Sequence, residues 1–336
     1  MSALLEVDHL AVQLPIDGIQ QPVLHDVSFS LKRGEVLAVV GESGSGKSMT
    51  ARAIVGLLPP GATTSGRILF EGTDMGRATR RQRRDIRARR IGMIFQDPRA
   101  AINPIHRIGD FLTEALVREH GVGERQARTR AASVLDEVGI DEPHRRLRQY
   151  PHELSGGMLQ RVMIASVLLA EPDLILADEP TTALDVTTQA EVIALLDGLR
   201  SVRELAMLFI THDLELAATI SDRIAVMYAG YLVETLPSAQ ALERPVHPYT
   251  EALLRSRPLL RERMPEIPQI PGRPLAAYEA PSGCPFHPRC SYAQERCKAE
   301  LPPPVSASSE QVMCLRADER RAQLGRATLI AEGPGS

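Results

Sequence analysis

The 336-residue sequence lacks most of what would place it in a membrane, in an extracellular compartment or on nucleic acid. Its apolar stretches, such as residues 162–170, fall far short of the roughly 18–20 residues needed to cross a bilayer, so no membrane-spanning segment is expected. The N-terminus, MSALLEVDHL, has no basic n-region and carries acids within its apolar stretch, so no secretory signal is expected and the chain is expected to stay in the cytoplasm. Net charge is −3, so no overall electrostatic case for nucleic acid exists. Internal repeats and sustained heptads are absent. There are only four cysteines, all between residues 284 and 314, and a reducing cytoplasm argues against two disulfides.

What is present is an alternation of strand-like and helical runs over the first 235 residues, the pattern of a sheet covered by helices. The strands are expected at 35–40, 91–96, 174–177, 207–211, and in a pair at 223–228 and 231–236 across Ala229-Gly230. Residues 110–138 read as a proline-free helical insertion. Residues 77–90 hold eight arginines, which fit a solvated helix better than an anionic contact, because no aromatic interleaves them. Fourteen of the 25 prolines fall between 237 and 304, so extended segments and turns should replace regular structure there. The domain boundary is placed at 236/237. A main domain is expected at 1–236 with a helical region at about 97–160, an extension at 237–320, and a charged tail at 321–336; everything after Leu315 is expected to fray.

Directly after the apolar run 36–40 stands Gly41-Glu42-Ser43-Gly44-Ser45-Gly46-Lys47-Ser48, which satisfies G-x-x-x-x-G-K-[ST] at each fixed position. The glycines let backbone N–H groups face a polyphosphate, Lys47 adds a cation, and Ser48 offers a hydroxyl to Mg²⁺. Met49, not a second hydroxyl, follows, and a helix should run from there to Leu57. At 174–179 an apolar strand ends in Asp178 and Glu179, where one carboxylate can take Mg²⁺ through water and the other can polarise the attacking water. Leu154-Ser155-Gly156-Gly157-Met158 precedes another helical run. It reads as a second anion site at a helix start or as plain capping by Ser155.

LSGGM followed by Gln160-Arg161 resembles the signature of ATP-binding-cassette (ABC) ATPases, and other family marks follow in order: Gln96 in IFQDP, Asp185 in TTALD, His212 in FITHD. The resemblance implies an α/β P-loop NTPase fold with a RecA-like core, an antiparallel β subdomain and an inserted helical subdomain. It implies Mg²⁺ at Ser48, Gln96 and Asp178, catalysis by Glu179 with His212 and Gln96, and a dimer loop at Asp185. It further implies that two subunits, copies or paralogues, close head to tail so that Ser155, Gly156 and Gly157 of one complete the Lys47 site of the other. The aromatic that stacks on adenine in many such ATPases has no counterpart before Phe29; Leu14, Ile16 and Val23 are the nearby apolar candidates. The signature ends in Met158 rather than the commoner Gln, as in the peptide-importer branch.

His247-Pro248-Tyr249-Thr250 and PSGCPFHPRC at 281–290 resemble the C-terminal extension of oligopeptide and dipeptide importer ATPases. That extension also occurs in importers of nickel, glutathione or metallophores. The implied role is to power uptake of peptides or a similar solute through a membrane permease at the cytoplasmic face, with an external solute-binding protein as an indirect partner. A soluble ABC ATPase acting on ribosomes or DNA is the alternative, and a non-hydrolysing cassette is disfavoured by Glu179 and His212. Cys284, Cys290, Cys297 and Cys314 lack paired C-x₂-C spacing. They suit a 4Fe-4S cluster, as relatives in this branch carry, or zinc, or remain free thiols.

Overall fold

The computed structural model describes residues 3–182, 184–256, 269–307 and 310–331, with side chains placed as far as Leu324. The chain divides into two compact units, one of residues 1–6, 30–36 and 68–210, the other of 7–29, 37–67 and 211–336.

In the first unit the strands Ile91–Ile94, Leu174–Asp178 and Ala206–Thr211 run parallel, with Ile91 opposite Leu174 and Asp178 opposite Ile210. Leu174–Asp178 and Ala206–Thr211 are buried along their whole length, which is why their sequences read as continuous apolar runs instead of alternating. The helical insertion is two helices, Ile108–Arg118 and Glu124–Glu137, and residues 119–123 break it at Gly121 with φ 68°. Ile108, Leu112 and Leu116 line one face at four-residue spacing, and Ala127, Ala131 and Leu135 line the other helix, so the two faces bury each other and the helix Gly156–Leu168. The arginine-rich segment is a helix, Arg80–Arg89, with no buried residue and a Thr79/Gln82 capping box; Arg84 pairs with Glu119 at 2.6 Å.

In the second unit Val36–Val40 runs parallel to Arg223–Tyr228, which turns at Ala229-Gly230 into antiparallel Tyr231–Pro237. Both turn residues have positive φ, 45° and 81°, as a two-residue hairpin turn requires. The proline-rich extension is mostly turns, as its composition implies, yet it also supplies strands. Glu310–Val312 adds antiparallel to Tyr231–Pro237, and Val305–Ala307 adds antiparallel to that. Pro248–Arg255 is helical, and Tyr249 and Phe286 pack with Tyr228 at ring separations of 4.7–5.2 Å. Few aromatics suffice because these three are buried together.

The segment after Leu315 does not fray: Ala317–Ala331 is a helix. Arg320 holds it, stacking over the Tyr292 ring at 4.2 Å and pairing with Glu251 at 2.5 Å, both partners far upstream in sequence. The expectation for 332–336, the end of the tail, lies outside the described residues. Among the described residues no helix is long and apolar enough to cross a membrane.

Candidate functional site

The phosphate-loop residues sit between Val36–Val40 and the helix Lys47–Val55 in the second unit. Gly41, Gly44 and Gly46 have φ of 156°, 80° and 107°. At Gly41 a Cβ would stand 2.2 Å from the Met227 carbonyl oxygen, so only glycine lets the loop lie this close to its neighbouring strand. The helix begins at Gly46 with no side-chain cap and no acid in its first turn, which leaves its positive end for an anion. Lys47 is 5% exposed; its Nζ donates to the carbonyls of Gly41 at 2.9 Å and Glu42 at 3.0 Å, arching over the loop. The Ser45 hydroxyl is buried without a hydrogen-bond partner. Glycines that nothing else could replace, a buried ammonium and an orphaned hydroxyl fit a polyphosphate. Ser43 and Gly44 are exposed at the tip, and Ser48 and Met49 are half-buried in the first helical turn. His212 follows Ala206–Thr211, exposed, just before Asp213 caps the helix Leu214–Ile220.

In the first unit Asp178 ends its strand 2% exposed, and Glu179 follows at φ 46°. That left-handed backbone is uncommon for a non-glycine residue and turns Glu179 away from the strand line. Glu179 N–H donates to Ile210 O at 3.0 Å, and its Oε2 accepts from Gln96 Nε2 at 3.1 Å and from Thr182 Oγ1 at 2.7 Å. Two donors on one carboxylate oxygen fix its orientation, as a general base needs. Gln96 and Glu179 stand in recognisable motifs, whereas the only sequence signal for Thr182 is a hydroxyl three residues after the acid.

Ser155 caps the helix Gly156–Leu168, its Oγ accepting from Met158 N–H at 3.3 Å. A Cβ on Gly157 would meet Thr188 Cγ2 at 2.5 Å. Thr188 is fixed in turn by Asp185, which caps the helix Val186–Arg203 by accepting from Thr188 N–H at 3.1 Å and Oγ1 at 2.7 Å. Those hydrogen bonds, the backbone one first, hold the Asp185 carboxyl below its usual range. The signature and the Asp185 loop are thus in contact through Gly157 and Thr188.

Cys284, Cys290, Cys297 and Cys314 line one narrow cavity of about 20 Å³ together with His247 and Phe286. Burial raises the thiol pKa of Cys284 to about 12 and pushes Cys290 and Cys314 upward as well. The donor chemistry suits a soft metal, yet among the described residues no group of three or more His, Cys, Asp or Glu is set to hold an ion.

A parallel sheet ending in paired acids, and a glycine loop opening a helix, define a P-loop ATPase. Residues 24–182 match the ABC transporter family, and residues 233–297 match the oligopeptide/dipeptide transporter, C-terminal region. The chain is 43% identical over 323 residues to the dipeptide transport ATP-binding protein DppD of Bacillus subtilis, covering 95% of this chain and 96% of that one. It is 44% identical to Escherichia coli DppD, covering 89% and 92%, and 44% identical to the B. subtilis oligopeptide transport ATP-binding protein OppD, covering 92% and 87%. Among solved structures, the dimeric ATP-binding cassette MJ0796 bound to ADP and Pi superposes with a TM-score of 0.63 at 26% identity, over 70% of this chain and 98% of that one. The chain belongs to the ABC transporter family, as an ATP-hydrolysing subunit with the C-terminal region of the oligopeptide/dipeptide branch.

Proposed function

We propose that this chain powers uptake of dipeptides or oligopeptides through a membrane permease, hydrolysing ATP at a site shared with a second ATP-binding subunit. The observation that carries the cargo reading is the peptide-transporter C-terminal region joined in one chain to the cassette, at near full-length similarity to DppD and OppD. Lys47 and the backbone N–H groups of 41–48 take the phosphates, and Ser48, Gln96 and Asp178 would hold Mg²⁺, which would neutralise phosphate charge. Glu179 accepts a proton from the attacking water, oriented by Gln96 and Thr182. His212 meets the γ-phosphate, while Ser155, Gly156 and Gly157 serve the partner's nucleotide and Asp185 crosses the dimer.

Binding nucleotide more tightly when the two subunits are closed is what lets ATP drive the permease between states. Residues 1–236 form the cassette in this reading, 97–160 its helical subdomain facing the permease, 237–320 the extension and 321–336 the tail. The complex sits at the cytoplasmic face of the membrane and receives cargo through the permease from a solute-binding protein.

The Glu179 role is tested by Glu179→Gln. ATP binding should persist while turnover falls by on the order of 10³, about 4 kcal/mol of barrier. Near-normal turnover would remove Glu179 from that role.

The four cysteines would hold a soft metal centre, a 4Fe-4S cluster before zinc, and it would cross-link a segment too proline-rich to build a large core. Four thiols on one cavity support this. Anaerobically purified protein should contain about four irons per chain with matching sulfide; stoichiometric zinc, or no metal, rejects the cluster.

A further inference from the structure

The second residue of the phosphate loop is an acid, and an acid is electrostatically the wrong neighbour for a polyphosphate. Glu42 is nevertheless held on every polar group it has. Its carboxylate accepts two parallel hydrogen bonds from Arg289, Nη1 to Oε2 at 2.6 Å and Nη2 to Oε1 at 3.0 Å. Its N–H donates to the Tyr249 hydroxyl at 2.9 Å, and its carbonyl accepts from Lys47.

Both outside partners belong to the extension, 207 and 247 residues away. Arg289 is itself fixed: its side chain is 4% exposed, its Nε donates to Pro271 O at 2.8 Å, and its guanidinium lies over the Tyr228 ring at 5.8 Å. It stands one residue before Cys290, on the segment that lines the cysteine cavity.

We infer that Arg289 and Tyr249 are positioning residues for nucleotide binding, through which the extension neutralises Glu42 and sets the shape of the phosphate loop. The inference rests on the ATP-binding reading of 41–48. A bidentate guanidinium cancels the carboxylate's charge and fixes its plane, so the loop's N–H groups and Lys47 present a net positive face to phosphate. Without Arg289 the same carboxylate would be left partly buried and uncompensated beside the anion. A purely structural tether between extension and cassette would need neither the charge match nor the contact to the Glu42 N–H.

The test is Mg·ATP affinity of the full-length chain, together with ATP KM and kcat, at a temperature where thermal unfolding shows each variant folded. Arg289→Met should raise KM for ATP about 10- to 100-fold, the equivalent of one or two charge-assisted hydrogen bonds, with kcat within about twofold. Arg289→Lys should fall between, keeping the charge without the fork. The double variant Glu42→Gln/Arg289→Met should bind ATP more tightly than Arg289→Met alone, because it removes the uncompensated carboxylate. Tyr249→Phe should raise KM by less than Arg289→Met, and it carries the test together with Arg289→Lys if Arg289→Met does not fold. An unchanged KM in Arg289→Met, or in both milder variants, overturns the inference. So does a double variant no better than Arg289→Met. Wild-type protein that fails to bind ATP would overturn the nucleotide reading instead, a distinguishable result.

Discussion

Replacing Gly157 by alanine adds a single methyl group at the contact between the signature helix and the Asp185 loop. That methyl would stand 2.5 Å from Thr188 Cγ2, a separation real carbon atoms do not tolerate. Thr188 cannot swing away freely. It is β-branched within a helix, and its Oγ1 is committed to Asp185 Oδ2 at 2.7 Å. Overpacking of this kind costs about 1–3 kcal/mol, and alanine's better helix propensity returns at most about 1. A net loss of about 1–2 kcal/mol should lower Tm by about 2–8 °C in a unit of this size, read by thermal unfolding with circular dichroism. Thr188→Ser removes the offending methyl and keeps the hydroxyl on Asp185, so Gly157→Ala/Thr188→Ser should regain the Tm of Thr188→Ser alone. If Gly157→Ala melts with the wild type, or the serine fails to rescue it, the packing argument is wrong.

Thr182→Val deletes a hydrogen-bond donor to the Glu179 carboxylate. The bond is charge-assisted but exposed to solvent, so kcat should drop about 3- to 10-fold with ATP affinity unchanged, and an unchanged kcat would show that Gln96 alone suffices. Burial raises the Glu234 pKa from 4.5 to about 7, partly opposed by the hydrogen bonds its carboxylate accepts from the Val246 and His247 N–H groups. The folded state therefore holds this proton more tightly than the unfolded chain, so its stabilisation is full below about pH 4.5 and is lost as pH rises through 7. Glu234→Gln keeps an acceptor for the Val246 and His247 N–H groups, so its Tm relative to wild type should rise between pH 5 and 8; a constant difference would contradict the assignment.

The chemistry-bearing loops were legible because each packs its function into a few consecutive residues. Glycines at 41, 44 and 46 and a lysine at 47 carry their own geometry, and a buried strand ending in two acids is visible as an apolar run that stops. The spacing of Ile108, Leu112 and Leu116 likewise announces a helix, whereas the break at 119–123 rests on Gly121 in a left-handed conformation, without a proline to mark it. What could not be read were contacts between distant segments. Arg289 on Glu42, Val312 opposite Glu234, and Arg320 on Glu251 each join segments tens to hundreds of residues apart, which no local periodicity encodes. The prolines at 302–304 hid the edge strands that follow them, and the helix after Leu315 depends on Arg320 finding partners rather than on its own apolar pattern. Thr182 is hidden for a related reason: its hydroxyl meets the Glu179 carboxylate only because of the left-handed turn at Glu179.

The most direct test is uptake of a labelled dipeptide into proteoliposomes that contain the permease, this chain and its partner ATP-binding subunit, with a saturating solute-binding protein. ATP on the side of this chain should drive accumulation, and Glu179→Gln should abolish it while the complex still assembles and binds ATP. Accumulation that is equal without ATP, or undiminished in Glu179→Gln, would contradict the account.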